Sequence, residues 1–281
     1  MTNTNVTELK SFNRDSIKYR AIYKKKGYLV VRKVLNKKDF LNIERLIFSV
    51  ASEYINFKKK KIKGLDDLNF NKELVKLRKK SKKKFSSFFD TLQTSIATYQ
   101  FWTNNKVLNI VKEILECNLE SISATDLLIR LDSPIDKRNK LEWHQDSSYF
   151  RQNNNGANGL NCWTPLTDLI MKMGPLEFLE NSHKIGRIKV KKIVSGKFKS
   201  VQRKIPKNLI KNFKIKQFEL KLGDFIFLNM NTVHRSGENI SKNFRVSTIC
   251  RYHKTNTKDF NPGLNIYKYS NKALNKKVHG F

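Results

Sequence analysis

Hydrophobic residues fall into two periodicities along this chain, helical in the first third and strand-like after it. Asn36 is placed to cap a helix over 37–56, with Asp39 in its first turn. Phe40, Ile43, Ile47 and Val50 recur at helical spacing inside it, and that stripe is core rather than a site. Similar patterns predict helices over 13–26, 67–80, 86–101 and 104–116, with a strand over 28–34 and a basic link over 57–66. From Leu119 the pattern changes to period two: Ile122, Leu127, Ile129 and Leu131 mark one alternating face. Further strands are predicted over 141–147, 218–222, 225–228 and 244–252, with Gly223-Asp224 and Ser236–Asn239 as turns.

No internal repeat and no linker interrupts this order, so a single domain is expected over 1–281. Residues 1–12 are polar and expected to be flexible, 13–116 form a helical part and 117–252 a β core. A basic insertion over 184–217 interrupts that core, and 253–281 form a C-terminal extension. The Asn- and Gly-rich stretch 151–160 is a loop and a candidate lid.

Charge changes the picture less than its size suggests. The chain of 281 residues has 57 Lys+Arg against 24 Asp+Glu, a formal net charge of +33. One reading is an anionic partner. The other, favoured as the main cause, is AT-rich codon usage, since Lys, Asn, Ile and Phe are abundant together and the lysines are spread along the chain. Cys117, Cys162 and Cys250 are odd in number and lack metal-site spacing, which fits a reducing compartment. With no apolar signal segment and no run long enough to span a bilayer, a cytoplasmic protein is expected.

Candidate chemistry concentrates in Trp143-His144-Gln145-Asp146, answered by His234 and then Arg245. On a strand, residues i and i+2 share a face, so His144 and Asp146 would reach one metal while Gln145 turns away or shields the edge. With His234 from another strand they make a two-histidine, one-carboxylate set suited to Fe(II). An antiparallel hairpin after His234 would bring Arg245 back alongside it, where a guanidinium can grip a carboxylate through two parallel hydrogen bonds. Arg245, Ser247, Ile249 and Arg251 would share one face.

Four stretches resemble the phytanoyl-CoA dioxygenase family of iron(II)- and 2-oxoglutarate-dependent oxygenases. They are Lys26–Leu35, Trp143–Asp146, Cys162–Asp168 with Gly174–Lys184, and Gly223-Asp224 through His234–Asn239 to Arg245. The resemblance implies a mainly β double-stranded β-helix (jelly roll, cupin-like), with N-terminal helices packed on one sheet. It implies that His144, Asp146 and His234 bind Fe(II), that Arg245 and Ser236 hold 2-oxoglutarate, and that Gln145, Trp163 and Arg130 line the co-substrate pocket. His183 is then a loop residue with a structural role. The implied reaction consumes O2, releases succinate and CO2 and hydroxylates an unactivated C–H; the presence of Asp146 argues against halogenation.

The substrate is expected to be a small or carrier-linked molecule. The basic excess favours an anionic one, with Arg151, Arg235, Arg251 and His253 as contacts. Two rivals stand beside this reading. A nucleic-acid dealkylase is favoured by the charge and by the Arg245-x5-Arg251 spacing, but opposed by the short His234-to-Arg245 spacing and by the Trp-Thr-Pro-Leu and Gly-Pro-Leu-Glu-Phe stretches. The other is a non-enzymatic metal-binding protein of the same fold. The oligomeric state is not legible.

Overall fold

The computed structural model describes residues 6–8, 12–56, 62–134, 141–150, 152–153, 156–190, 193–195, 200–202 and 205–262. Six helices precede most of the strands: α1 (Phe12–Lys26), α2 (Leu41–Ala51), α3 (Leu68–Lys80), α4 (Lys82–Gln93), α5 (Ile96–Trp102) and α6 (Asn105–Leu115). Asn36 makes both halves of a capping box. Its side chain accepts from the Lys38 amide at 3.0 Å, and the Asp39 carboxylate accepts from the Asn36 amide at 2.8 Å. The helix expected over 86–101 is two helices. The Ser95 hydroxyl accepts from the Ala97 amide at 3.2 Å and starts α5, while Ser81 caps α4 upstream of the expected start.

The strands are β1 (Val6–Glu8), β2 (Tyr28–Arg32), β3 (Ile122–Asp132), β4 (Gly159–Pro165), β5 (Glu177–Leu179), β6 (Ile193–Ser195), β7 (Ser200–Gln202), β8 (Ile215–Lys216), β9 (Phe225–Asn229), β10 (His234–Arg235) and β11 (Arg245–Lys254). They form a six-stranded sheet in the order β1-β2-β9-β4-β11-β3 and a three-stranded sheet β10-β5-β8. A hairpin, β6-β7, lies inside the basic insertion. Pairing is antiparallel except for β1 on β2, so Val6–Glu8 adds a strand within the stretch expected to be flexible. No helix among the described residues is long and apolar enough to cross a membrane.

Alternation along the large sheet divides the core in two. Leu29, Val31, Cys162, Phe225, Phe227, Val246, Cys250 and Tyr252 point to the face covered by the helices and pack with Ile47, Phe88, Trp102 and Val111. Tyr28, Val30, Trp163, Ile226, Leu228 and Ile249 point the other way, onto Phe178, Phe218 and Leu220 of the smaller sheet's side. This is the expected jelly roll, with helices on one sheet. Burying each such side chain contributes roughly 1.5–3 kcal/mol.

A glycine turn joins the layers where the chain enters β9. Gly223 sits at φ +98, and a Cβ there would collide with the Leu35 carbonyl. Its own carbonyl accepts from the Val34 and Leu35 amides at 2.8 and 3.3 Å.

Three expectations are corrected. Residues 141–147 are not a strand: only His144 makes a bridge, and Asp146–Ser148 is a 3-10 turn. Residues 218–222 contribute a single bridge, Leu169 to Leu220, instead of a strand. No hairpin joins His234 to Arg245. β10 belongs to the small sheet and β11 to the large one, so the connecting segment crosses between sheets.

Candidate metal and co-substrate site

His144 and His234 are held together by their own backbones. Each amide donates to the other's carbonyl, at 3.0 and 2.9 Å, and the rings lie 4.3 Å apart between centroids. A strand over 141–147 would put His144 and Asp146 on one face. Instead His144 faces His234 across a bridge, and the 3-10 turn swings Asp146 back beneath both. Asp146 Oδ1 lies 3.6 Å from His144 Nε2 and 3.7 Å from His234 Nε2. All three side chains are buried, and one ligand atom from each lies within 4.8 Å of the others.

The donor set is prepared for a cation. His144 Nδ1 lies 2.7 Å from the Glu142 carbonyl, and His234 Nδ1 lies 2.9 Å from the Thr232 carbonyl. A carbonyl only accepts, so each Nδ1 carries a proton and Nε2 is the atom left to face a metal. Burial, then the neighbouring His144, push His234 down to about 4, which keeps it a neutral ligand near pH 7.

Asp146 is oriented by its second oxygen. Oδ2 accepts from Asn161 Nδ2 at 2.6 Å and from Arg251 Nε at 3.1 Å. Arg251 also lies 3.7 Å over the Phe150 ring. Burial alone would raise the Asp146 carboxyl, but Arg251 and the two histidines hold it well below the usual carboxylate range. A carboxylate ionised and clamped at one oxygen offers the other to a metal.

Across the cavity, on the large sheet, Arg130, Asp132 and Arg245 form an ion-paired cluster. Asp132 Oδ2 accepts from Arg245 Nε at 3.1 Å and Nη2 at 2.8 Å, and Asp132 Oδ1 accepts from Arg130 Nη2 at 2.9 Å. Arg245 Nη1 donates to the Gly174 carbonyl and, at 3.2 Å, to that of Gly237. Of the five guanidinium hydrogens, one on Nη2 is left for a ligand. The expected two-pronged grip therefore reduces to one hydrogen, because Asp132 occupies the other edge of the fork.

One cavity is lined by His144, His234, Ser236, Arg245, Arg130 and Trp163, so these predicted residues do converge. Gln145 does not line it. Its amide donates to the Gly186 and Asn231 carbonyls at 2.8 and 2.7 Å and accepts from the Ile188 amide at 2.8 Å, stapling loops behind the two histidines.

Of the proposed substrate contacts, Arg251 lines the cavity and donates to Asp146. Arg235 pairs with Glu177 at 2.6 Å and stacks 4.6 Å over Trp143. His253 is buried against Asn153. Arg151 lies outside the described residues. His183 holds the Lys24 carbonyl at 3.0 Å, a structural contact.

Asn161 and Asp132 were missed in the sequence. The signals were present: Asn161 is an amide two before Trp163 in a mostly apolar strand, and Asp132 stands two after Arg130. Each lone polar residue reads equally well as a strand end or surface position.

Residues 23–247 match the family described as Phytanoyl-CoA dioxygenase (PhyH). Comparison with curated proteins gives no significant match. Among solved structures, the epimerase SnoN, in complex with Fe3+, alpha ketoglutarate and nogalamycin RO, is similar at TM-score 0.59 and 16% identity, over 86% of this chain and 84% of that one. The non-heme alpha ketoglutarate dependent carbocyclase SnoK from nogalamycin biosynthesis aligns at TM-score 0.55 and 16% identity, over 92% and 90%. EvdO2 from Micromonospora carbonacea var. aurantiaca, complexed with 2-oxoglutarate, gives TM-score 0.55 and 13% identity, over 87% and 94%.

Proposed function

Because the chain belongs to the phytanoyl-CoA dioxygenase family, we propose that it is an iron(II)- and 2-oxoglutarate-dependent dioxygenase. It uses O2 to hydroxylate a C–H bond of a small or carrier-linked substrate and releases succinate and CO2. The observation that carries this reading is the buried His144–Asp146–His234 cluster facing Arg245 and Ser236 across one cavity. SnoN and EvdO2, described as complexes with alpha ketoglutarate or 2-oxoglutarate, support the choice of co-substrate.

The donor set fits the ion. Two neutral imidazoles and one carboxylate suit Fe(II) and leave coordination positions for other ligands. Bound iron and 2-oxoglutarate would supply the oxidation of an unactivated C–H, which no side chain performs. The protein's own residues bind and orient. The carbonyls of Glu142 and Thr232 fix the histidine tautomers, and Arg251 and Asn161 fix Asp146. Arg245 Nη2 and the Ser236 hydroxyl receive the distal carboxylate, while Asp132 keeps the guanidinium from turning. Trp163 and Ile249 give the cavity an apolar wall.

Hydroxylation is the specific outcome proposed for this chain; SnoN is described as an epimerase and SnoK as a carbocyclase. The test begins without oxygen. Fe(II) and then 2-oxoglutarate are added while the weak visible charge-transfer band is followed. O2 is then admitted and succinate is quantified for wild type beside Arg245→Ala. A band with Arg245-dependent succinate is expected. Folded, iron-loaded protein giving neither band nor succinate refutes the reading.

A further inference from the structure

Buried polar atoms without partners gather on the cavity-facing side of the large sheet. Among the described residues, buried side-chain atoms with no hydrogen bond include Asn161 Oδ1, Thr125 Oγ1, Ser123 Oγ and His253 Nε2. Register puts them in two adjacent rows across β4, β11 and β3. Asn161, Arg251 and Thr125 are directly opposite one another, and so are Gly159, His253 and Ser123. Directly opposed residues share a face, and the next row shares it again two residues on. Asn161 and Arg251 line the cavity with His144, which fixes that face as the inner one. Gly159 leaves room for the imidazole, since a Cβ there would press on His253 Nδ1.

Leaving a buried polar atom unpaired costs about 1–3 kcal/mol. Several in two rows beside one metal cluster mark a surface built for a ligand.

The hydrogen-bond network fixes what these atoms offer. Asn161 spends its amide nitrogen on the Asp146 carboxylate, which only accepts, so the free atom is the acceptor Oδ1. Asn153 spends its nitrogen on the Lys254 carbonyl at 3.1 Å and turns its oxygen to His253 Nδ1 at 2.9 Å. His253 therefore carries its proton on Nδ1 and offers Nε2 as an acceptor. Burial, then Arg251, push His253 down to about 4, so it stays neutral near pH 7. The rows thus present two fixed acceptors and two hydroxyls.

Three ligand chemistries compete for such a surface. An anion would face two lone pairs and, from Arg251, only the Nη hydrogens left once Nε bonds Asp146 and Nη1 reaches the Asp126 carbonyl at 3.5 Å. An ammonium would sit against the Arg251 guanidinium, directly opposite Asn161 and Thr125, and beside a divalent ion. A neutral O–H meets neither penalty and can both donate to the two acceptors and pair with the hydroxyls. We infer that the part of the substrate held beside Asp146 is a neutral, polyhydroxylated group, read by Asn161 Oδ1, Thr125 Oγ1, His253 Nε2 and Ser123 Oγ.

This inference deepens the dioxygenase reading and rests on it for the word substrate. The test uses protein loaded with Zn(II), a redox-inert stand-in, and 2-oxoglutarate, with each affinity measured first. Three matched probes are then compared by saturation-transfer NMR: methyl glucoside, glucuronate and glucosamine. Methyl glucoside is expected to bind about tenfold more tightly than either charged probe, the discrimination of roughly one mispaired polar group. Thr125→Val should weaken it several-fold, and Thr125→Val with His253→Leu about tenfold or more. His253→Gln, which keeps an acceptor, should stay close to wild type. Equal binding by wild type and the double variant, tighter binding of glucuronate, or no transfer to any probe overturns the inference. Neither Thr125 nor His253 touches the three ligands, so failed Zn(II) or 2-oxoglutarate binding would count against the dioxygenase reading alone. Transfer to the probes can still be scored in the metal-free protein. Thr125→Val is close to isosteric and keeps the test valid if the double variant misfolds.

Discussion

Two faces of strand β11 are equally buried and built from opposite chemistry. Val246, Cys250 and Tyr252 point to the helices and pack among Trp102, Phe225 and Phe227. Arg245, Ser247, Arg251 and His253 point to the cavity and are buried to a similar degree. On the helix side the polar exceptions are answered within the fold: Thr248 Oγ1 accepts from Trp102 Nε1 at 3.0 Å, and the Tyr252 hydroxyl donates to the Trp102 carbonyl at 2.5 Å. On the cavity side Ser247 Oγ and His253 Nε2 have no partner. Burial alone does not separate a core from a site; unspent hydrogen-bonding capacity does.

The largest break in this comparison is expected at Asp146. Asp146→Ala should abolish metal binding and turnover, and it should also destabilise the fold by about 3–5 kcal/mol because Arg251 is left buried without its counter-charge. His144→Ala removes the same metal without orphaning a charge. Equal melting temperatures for the two variants would refute the clamp. On the helix side, Phe227→Ala should cost about 3–5 kcal/mol in denaturant titration and leave activity per folded molecule unchanged. Loss of specific activity there would mean that the two faces are coupled.

Smaller effects sharpen the contrast. Arg251→Met should weaken metal binding about 10–100-fold by calorimetry, with 2-oxoglutarate affinity following only through the metal. Acid titration of the metal-free protein tests the buried imidazoles. His234 and His253 fall to about 4 in the folded protein, against about 6.5 in an unfolded chain. The unfolded state then binds more protons between these values, so stability is full above about pH 6.5 and declines as pH falls toward 4. Asp146 and Asp132, held low in the fold, add their loss only below about pH 4. His253→Gln should flatten the upper part of that slope. An unchanged slope would show that the imidazole is not buried neutral. Asn36→Ala, remote from both faces, should cost only about 1 kcal/mol of thermal stability.

Much of the site was legible because the chemistry restricts residue type. His144, His234, Arg245, Trp163 and Ser236 all line one cavity, with Asp146 against the two histidines, and the strand over 244–252 stands. What failed was the path between residues. Period two on 141–147 gave a plausible shared face, yet His144 is positioned by a backbone bridge to a residue ninety positions away, and such a pairing leaves no local pattern. The turn after His234 read as a hairpin because its polar residues do not reveal that the chain crosses to the other sheet. Asp132 was invisible as the partner of Arg245 for the same reason: β3 meets β11 only in the folded sheet. The helix break at Ser95 and the early start of α4 after Ser81 were missed because a serine inside a basic or polar run is a cap only when the chain beyond it turns.

The alternation also decides where sulfur lies. Cys162 and Cys250 are directly opposite on β4 and β11, free and fully buried, on the face turned to the helices. Burial raises both thiols far above the range in which a thiolate forms. Thiols this buried and this hard to ionise are poor targets for oxidation. One residue of register separates them from the Asp146 side, and the sheet backbone stands between, so the same pleat that aims Arg251 at Asp146 keeps both sulfurs out of the cavity.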